Sequence, residues 1–313
     1  MLMARLVFTL LLGAVAGRRA EHIVFCENAT VPSARSPSCK NSHTGRPRWS
    51  ASMLRSWHKF HEKLAAEAAA WRSLTDQASL VMIGDSITES YRGTAVGLPT
   101  DRSRGLEASL GPTLLQDFSA PLILAISGDE TQHLLWRLEN GELSPALCAD
   151  ARLWITLMIG TNNLGNAKHS KQDTAAGVEA VVRYLLTRTK ARVLVHAMLP
   201  RGESPKSRAA RLNRSSSSTP PPSMIPAIDY VNARVARFVY KLGHVFPGRA
   251  RSIDCGHIFG LAVASSGAPE VNMDLMPDAL HPNLEGSRRL ADCVRQALAT
   301  WRREARTATA SEL

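Results

Sequence analysis

The chain has 313 residues, 44% of them hydrophobic and 21% charged, with 20 glycines, five cysteines and a formal net charge of +11. That apolar share excludes a disordered chain, and glycine and cysteine are too scarce for a collagen-like or disulfide scaffold. No stretch reaches the ~18 consecutive apolar residues of a membrane span, so a multi-pass membrane protein is excluded as well.

In chain order, residues 1–16 read as an export signal. Arg5 supplies the positive start, Leu6 to Leu12 the apolar run, and Ala14-Val15-Ala16 the small-x-small pattern that predicts cleavage before Gly17. The run is short for an anchor. The expectation is a secreted or secretory-pathway protein. Asn28-Ala29-Thr30 and Asn213-Arg214-Ser215 match the N-glycosylation pattern. Residues 17–49 read as a basic flexible segment. Between Arg18 and Lys59, eight basic residues face only Glu21 and Glu27 and hold +6 of the +11. A second basic cluster runs through Arg201, Lys206, Arg208, Arg211 and Arg214. Neither is interleaved with aromatics, so both read as solvated tails and loops and not as a nucleic-acid face. Cys26 and Cys39 flank a Pro/Ser loop and can close a local disulfide. Of Cys148, Cys255 and Cys293, one stays free or pairs between chains if the others are bridged, and the pairing stays open.

Residues 50–305 read as one domain, with 306–313 as a tail. Residues 50–75 have helical periodicity through Met53, Trp57, Phe60, Leu64, Ala68 and Trp71, and Trp57, Phe60 and Trp71 at that spacing read as core positions. Strand-length apolar runs follow at 79–83, 121–126, 152–159, 192–198 and, more weakly, 251–254. Helices are predicted at 131–140, 174–189, 228–243 and 284–303. Alternating strands and helices imply an α/β domain on a parallel sheet, with its site at the carboxyl edge of the strands. Two segments break the rhythm: the long Gly-rich stretch 92–117, and 204–226, which reads as an inserted flexible loop around Ser215 to Ser218 and Pro220 to Pro222.

Four short blocks carry chemistry. Gly84-Asp85-Ser86 follows the first predicted strand and lifts a serine hydroxyl clear of the sheet, where the N–H groups of a following helix can meet an oxyanion. Alone, the triplet reads as a helix cap. Ser127-Gly128-Asp129 follows the second strand, and Gly128 can offer a bare N–H. Gly160-Thr161-Asn162-Asn163 follows the third and offers a neutral amide donor. Asp278-Ala279-Leu280-His281 precedes the last helix, and its spacing lets a carboxylate hold imidazole Nδ1 while Nε2 faces outward. By contrast, Asp254-Cys255-Gly256-His257 lacks an oxyanion partner and reads as structural, as does His133 on its helix.

In these four blocks the chain resembles the SGNH, or GDSL-type, esterase/lipase family. Within it, the chain is similar to the catalytic subunits of the intracellular platelet-activating-factor acetylhydrolases. The similarity runs over about residues 53–300, through the stretch from Gly128 to Leu143, Leu199-Pro200-Arg201-Gly202 and Leu280-His281-Pro282-Asn283. The resemblance implies a three-layer flavodoxin-like fold with a five-stranded parallel sheet. It implies Ser86 as nucleophile, His281 as base and Asp278 as its orienting carboxylate. The oxyanion hole would be the N–H groups of Ser86 and Gly128 with the Asn162 amide. Ile87, Thr161 and Leu280 would bound a short acyl pocket. It implies no metal and no cofactor. Expected partners are a small-molecule, glycan or lipid ester, with no nucleic acid and no stable membrane insertion after signal cleavage. Ser127 stands where the family usually has glycine, and the segment between Ser86 and Gly128 is longer by roughly a dozen residues, bordering the site entrance. The expected function is hydrolysis of small O-acyl esters. An O-acyltransferase on the same scaffold and a catalytically silent binding module are the alternatives.

Overall fold

The computed structural model describes residues 49–72, 78–110, 118, 121–166, 169–214, 223–261 and 270–311. The predicted export segment, the Asn28 glycosylation site, the Cys26–Cys39 pair and the Ser215–Pro222 stretch lie outside these residues.

Five parallel strands form the central sheet: β1 (Ser79–Gly84), β2 (Leu122–Ala125), β3 (Leu153–Met158), β4 (Arg192–His196) and β5 (Ala250–Ile253). Their order is β2-β1-β3-β4-β5. This is the flavodoxin-like arrangement, with the strand order reversing at β1. Every residue of β1 and β3 is buried, as expected of inner strands covered on both faces. The weakly apolar run at 251–254 becomes β5 at the sheet edge, where Arg251 and Ser252 are exposed.

Successive strand residues point to opposite faces and feed two cores. Val81, Ile83, Ile155 and Val193 pack beneath α1 (Ala51–Ala70), α3 (Thr131–Arg137), α4 (Lys171–Arg188) and α5 (Ile225–Leu242). Leu80, Met82, Trp154 and Leu194 pack against α6 (Leu284–Ser311) and the short turn α2 (Ser86–Glu89). The result is three layers, as the alternation of elements implied. Trp57 and Phe60 are buried in the first core and Trp71 packs at its margin.

Several boundaries differ from expectation. Trp49, placed in the leading segment by the sequence reading, is buried in the domain, its ring packed edge-on against His133. The predicted flexible loop at 204–226 is in part helical, because Pro205–Arg214 forms a helix and α5 already starts at Ile225. Pro205 suits a first helical turn, where its missing N–H has no partner to lose. The 306–313 tail is likewise helical as far as Ser311, since α6 continues without a breaker. The helix predicted at 131–140 stops earlier, at Arg137, and passes into a wider turn over Leu138–Glu142 in which Gly141 has φ +116°. Cys255 and Cys293 form a disulfide that ties α6 to the loop after β5, and Cys148 is the free cysteine among the described residues. Cys255 is thereby structural, as its sequence context suggested.

His196 ends β4 in the second core, and neither ring nitrogen has a hydrogen-bond partner among the described residues. Burial lowers its pKa to about 4. The native state therefore excludes a proton that the unfolded chain takes up near pH 6.5. Stability is fully present above that pH and falls as pH drops toward the folded pKa. The unfolding free energy is expected to fall by about 2 kcal/mol between pH 7.5 and pH 5 from this group. Urea titrations of wild type and His196→Leu at both pH values check this: the variant should lack that part of the acid-side loss.

Candidate active site

The loops after β1, β2 and β3 are neighbours at the carboxyl edge because β1 lies between β2 and β3. Each delivers one predicted block. Ser86 opens α2 directly after β1, and Asp85 caps that turn by accepting the Ile87 N–H at 3.1 Å. A Cβ on Gly84 would lie 2.4 Å from Thr88 Oγ1 and 2.5 Å from the Met158 carbonyl oxygen, so only glycine lets the strand turn so tightly against β3.

Ser86 Oγ lies 2.9 Å from His281 Nε2, and His281 Nδ1 lies 2.7 Å from Asp278 Oδ2. The other oxygen, Oδ1, accepts the backbone N–H of Leu280 at 3.0 Å and of His281 at 2.7 Å. The carboxylate therefore takes Nδ1–H and leaves the lone pair on Nε2, facing the serine. Between them Ala279 has φ +58°, an uncommon conformation for a residue with a side chain. Two hydrogen bonds hold it: the Ala279 N–H to Met276 O at 2.8 Å and the Gly202 N–H to Ala279 O at 2.9 Å. Asn283 secures the exit into α6 by accepting the Gly286 N–H.

Burial, aided by the nearby charges of Arg102 and Arg201, lowers the His281 pKa against the raising effect of Asp278. The imidazole is thus neutral at neutral pH and available as a base. Burial works against the Asp278 charge, but the hydrogen bonds from His281 and Leu280 outweigh it and hold the carboxyl at about 2. Asp85 is different. Burial pushes its carboxyl up to about 7, with the Ile87 N–H opposing, and its Oδ2 is unpartnered among the described residues.

Asn162 is buried, and its amide orientation is defined from both ends. Oδ1 accepts from Asn166 Nδ2 at 2.8 Å, and Nδ2 donates to the carbonyl of Asp129 at 2.9 Å. The amide therefore sits beside the Asp129–Glu130 peptide, one residue beyond Gly128, with its second N–H still to donate. Gly128 has φ +87°, and a Cβ there would come 3.0 Å from the Trp49 ring. At Ser127 the backbone N–H donates to Glu89 Oε2 at 2.6 Å, while the hydroxyl is buried without a hydrogen-bond partner among the described residues. Glu89 also accepts from Thr94 Oγ1 and from the N–H groups of Val96 and Gly97. One buried carboxylate thus ties the long insertion to the Gly128 loop.

Of the predicted acyl-pocket residues, Ile87 and Thr161 are buried and Leu280 is half-buried. Ile87 lines a small apolar cavity with Met82, Tyr91 and Leu290. Two functional candidates escaped the sequence reading. Arg102, in the insertion, places Nη1 2.6 Å from His281 Nε2. Arg201, read as part of a solvated basic cluster, instead turns inward and donates to Thr161 O and Asn166 Oδ1, both at 2.9 Å. Nothing sets Arg102 apart from Arg92 and Arg104 in the Gly-rich insertion as an active-site neighbour; only the Leu-Pro-Arg-Gly stretch hinted at Arg201. Among the described residues, no group of three His, Cys, Asp or Glu side chains could hold a metal ion.

The model of the GDSL-like Lipase/Acylhydrolase family matches residues 82–289, which is more than half of the chain. The chain belongs to this family. As a GDSL-family member it is similar to platelet-activating factor acetylhydrolase IB subunit alpha2 of Gallus gallus, at 44% identity over 81 residues, covering 26% of this chain and 32% of that one. It is also similar to the alpha1 subunit of Bos taurus, at 31% identity over 150 residues, covering 48% and 53%. The matches thus span about a third to a half of the length of these curated relatives. Among solved structures, a Streptococcus pneumonia chain provisionally described as a platelet activating factor superposes with a TM-score of 0.54 at 18% identity, covering 79% of this chain and 94% of that one. A Bacteroides fragilis chain provisionally described as an acylhydrolase gives 0.51 at 18%, covering 76% and 95%. At that identity these two bear on the GDSL-family fold alone, and they agree with the five-stranded parallel sheet.

Proposed function

We propose that this protein is an exported serine esterase that hydrolyses small, acetyl-type O-acyl esters of an extracellular lipid or carbohydrate through an acyl-enzyme. The observation that carries the reading is the unbroken relay from Ser86 Oγ through His281 to Asp278, at 2.9 and 2.7 Å, at the point where the strand order reverses.

In the first half-reaction, Ser86 Oγ bonds to the ester carbonyl carbon while its proton passes to His281 Nε2 and the carbonyl electron pair moves to oxygen. The N–H groups of Ser86 and Gly128 and the second N–H of Asn162 receive that oxyanion, each contributing about 3 kcal/mol in the transition state. Collapse expels the alcohol, which takes the proton from Nε2. In the second half, water attacks the acyl carbon as its proton passes to Nε2; collapse breaks the bond to Ser86 Oγ, which takes that proton back from Nε2, and the acid leaves.

Support for a short acyl group comes from the acetylhydrolase name of the curated relatives and from Ile87, Thr161 and Leu280, the residues proposed to bound the acyl chain. Support for export is the pattern of residues 1–16. The test is labelling with a fluorophosphonate probe, followed by a series of p-nitrophenyl esters. Labelling is expected, with acetate turned over faster than long-chain esters. Absence of labelling under conditions that label an ordinary esterase would overturn the enzymatic reading, and faster long-chain turnover would overturn the acetyl assignment.

A further inference from the structure

Two hydrogen-bond donors converge on the lone pair of the proposed base. Ser86 Oγ is 2.9 Å from His281 Nε2, and Arg102 Nη1 is 2.6 Å from the same atom. A neutral imidazole nitrogen has one lone pair and a guanidinium can only donate, so the two contacts compete. While Arg102 holds Nε2, proton transfer from Ser86 is hindered. Productive chemistry requires the guanidinium to find a better acceptor. Its surroundings leave that need open. Arg102 is partly buried; burial lowers its pKa against the opposing charges of Asp278, Glu89 and Asp85, and its hydrogen bond goes to a neutral acceptor. Arg201 is similar: partly buried, bonded among the described residues only to the neutral oxygens of Thr161 and Asn166, with its pKa lowered by burial against the charges of Asp85 and Asp278. Two partly buried cations thus flank the relay among the carboxylates of Asp278, Asp85 and, for Arg102, Glu89, yet among the described residues neither guanidinium hydrogen-bonds a carboxylate, so an anionic oxygen group is the stronger acceptor each one lacks.

We propose that Arg102 is a specificity-determining residue that recognises an anionic oxygen group, a carboxylate or a phosphate, on the alcohol part of the substrate ester, and that it caps the base until such a group draws it away. The alcohol side is assigned because Nε2 delivers its proton to the leaving alcohol, so a side chain touching Nε2 borders the leaving-group space. Arg201, beside Thr161, adds to the field from the acyl side. The inference rests on the esterase reading and sharpens its substrate class.

The test compares 3-acetoxybenzoate with 3-acetoxybenzamide, which differ chiefly in charge. Wild type should show a kcat/KM about tenfold or more higher for the anion at low salt. Added salt should erode the preference. In Arg102→Gln the ratio should fall toward one, and the acid limb of kcat/KM should move to higher pH because a cation next to His281 is gone. Arg102→Lys should keep part of the preference. Independently of turnover, calorimetry on wild type should find 3-hydroxybenzoate bound more tightly than 3-hydroxybenzamide. Hydrolysis of both esters at similar efficiency, or equal loss for both in Arg102→Gln, overturns the inference and leaves the esterase reading standing. Failure to turn over either ester, together with no fluorophosphonate labelling, overturns the esterase reading and this inference with it. A 3-acetoxyphenyl phosphate arm tells the two anion types apart.

Discussion

Ser86→Ala is expected to lower kcat/KM for an acetyl ester by about 10⁴-fold or more and to abolish fluorophosphonate labelling. The serine supplies the only oxygen within hydrogen-bond distance of His281 Nε2 among the described residues, so no neighbour can replace it. The fold should hardly change. Ser86 is buried, but the substitution removes one hydroxyl whose hydrogen bond contributes about 1 kcal/mol. Steady-state rates combined with a urea midpoint therefore separate chemistry from stability. Asp278→Asn is the companion. Its amide can no longer accept at both positions, and an N–H group turned toward Nδ1 would impose the wrong tautomer. A loss of about 10⁴-fold is expected with the serine still in place. If both variants kept wild-type rates, the relay would not be the catalytic machinery.

The second large effect concerns stability. Arg137 is fully buried and joins two buried carboxylates: Nε donates to Asp129 Oδ2 at 2.7 Å, and Nη1 bonds Glu142 Oε2. Trp57 Nε1 donates to the other oxygen of Asp129 at 2.7 Å, and His61 Nδ1 meets the other oxygen of Glu142 at 2.8 Å. Burial works against the guanidinium charge, yet Glu142 and Asp129 raise its pKa above the usual value. Replacing Arg137 with methionine leaves two carboxylates in a dry interior and is expected to cost about 3–5 kcal/mol. The urea midpoint measures this. Activity should fall too, because Asp129 follows Gly128 and its carbonyl accepts the Asn162 amide, so the proposed oxyanion donors are held by this network. Arg137→Lys keeps the charge but not the fork, and an intermediate loss is expected. A midpoint unchanged in Arg137→Met would contradict the network's role.

Most of the sheet could be read from the chain because inner parallel strands are continuous apolar runs, and 79–83 and 152–159 stand out against their polar flanks. The weakest prediction, 251–254, failed to stand out for the same reason in reverse: β5 is an edge strand with exposed Arg251 and Ser252. The Ser86, Gly128, Asn162 and His281 blocks were legible only together: each alone reads as an ordinary turn or cap, but three follow successive strands and the fourth precedes the last helix. The Pro205–Arg214 helix was not legible, since its composition is polar and resembles a linker. Nor was Trp49, whose place beside Gly128 depends on contacts across the fold.

The sequence alone determined the α/β alternation, the relay residues and the family resemblance, because these rest on local periodicity and on motifs a few residues long. The tertiary structure alone decided the Cys255–Cys293 pairing, the orientation of the Asn162 amide, and the approach of Arg102 to a histidine 179 positions away. Each of these depends on distances between segments remote in sequence, and no local pattern encodes them. The net charge of +11 illustrates the division. By composition it is a property of tails and loops, yet two of its members, Arg102 and Arg201, are turned by the fold toward His281 and Thr161 at the carboxyl edge of the sheet.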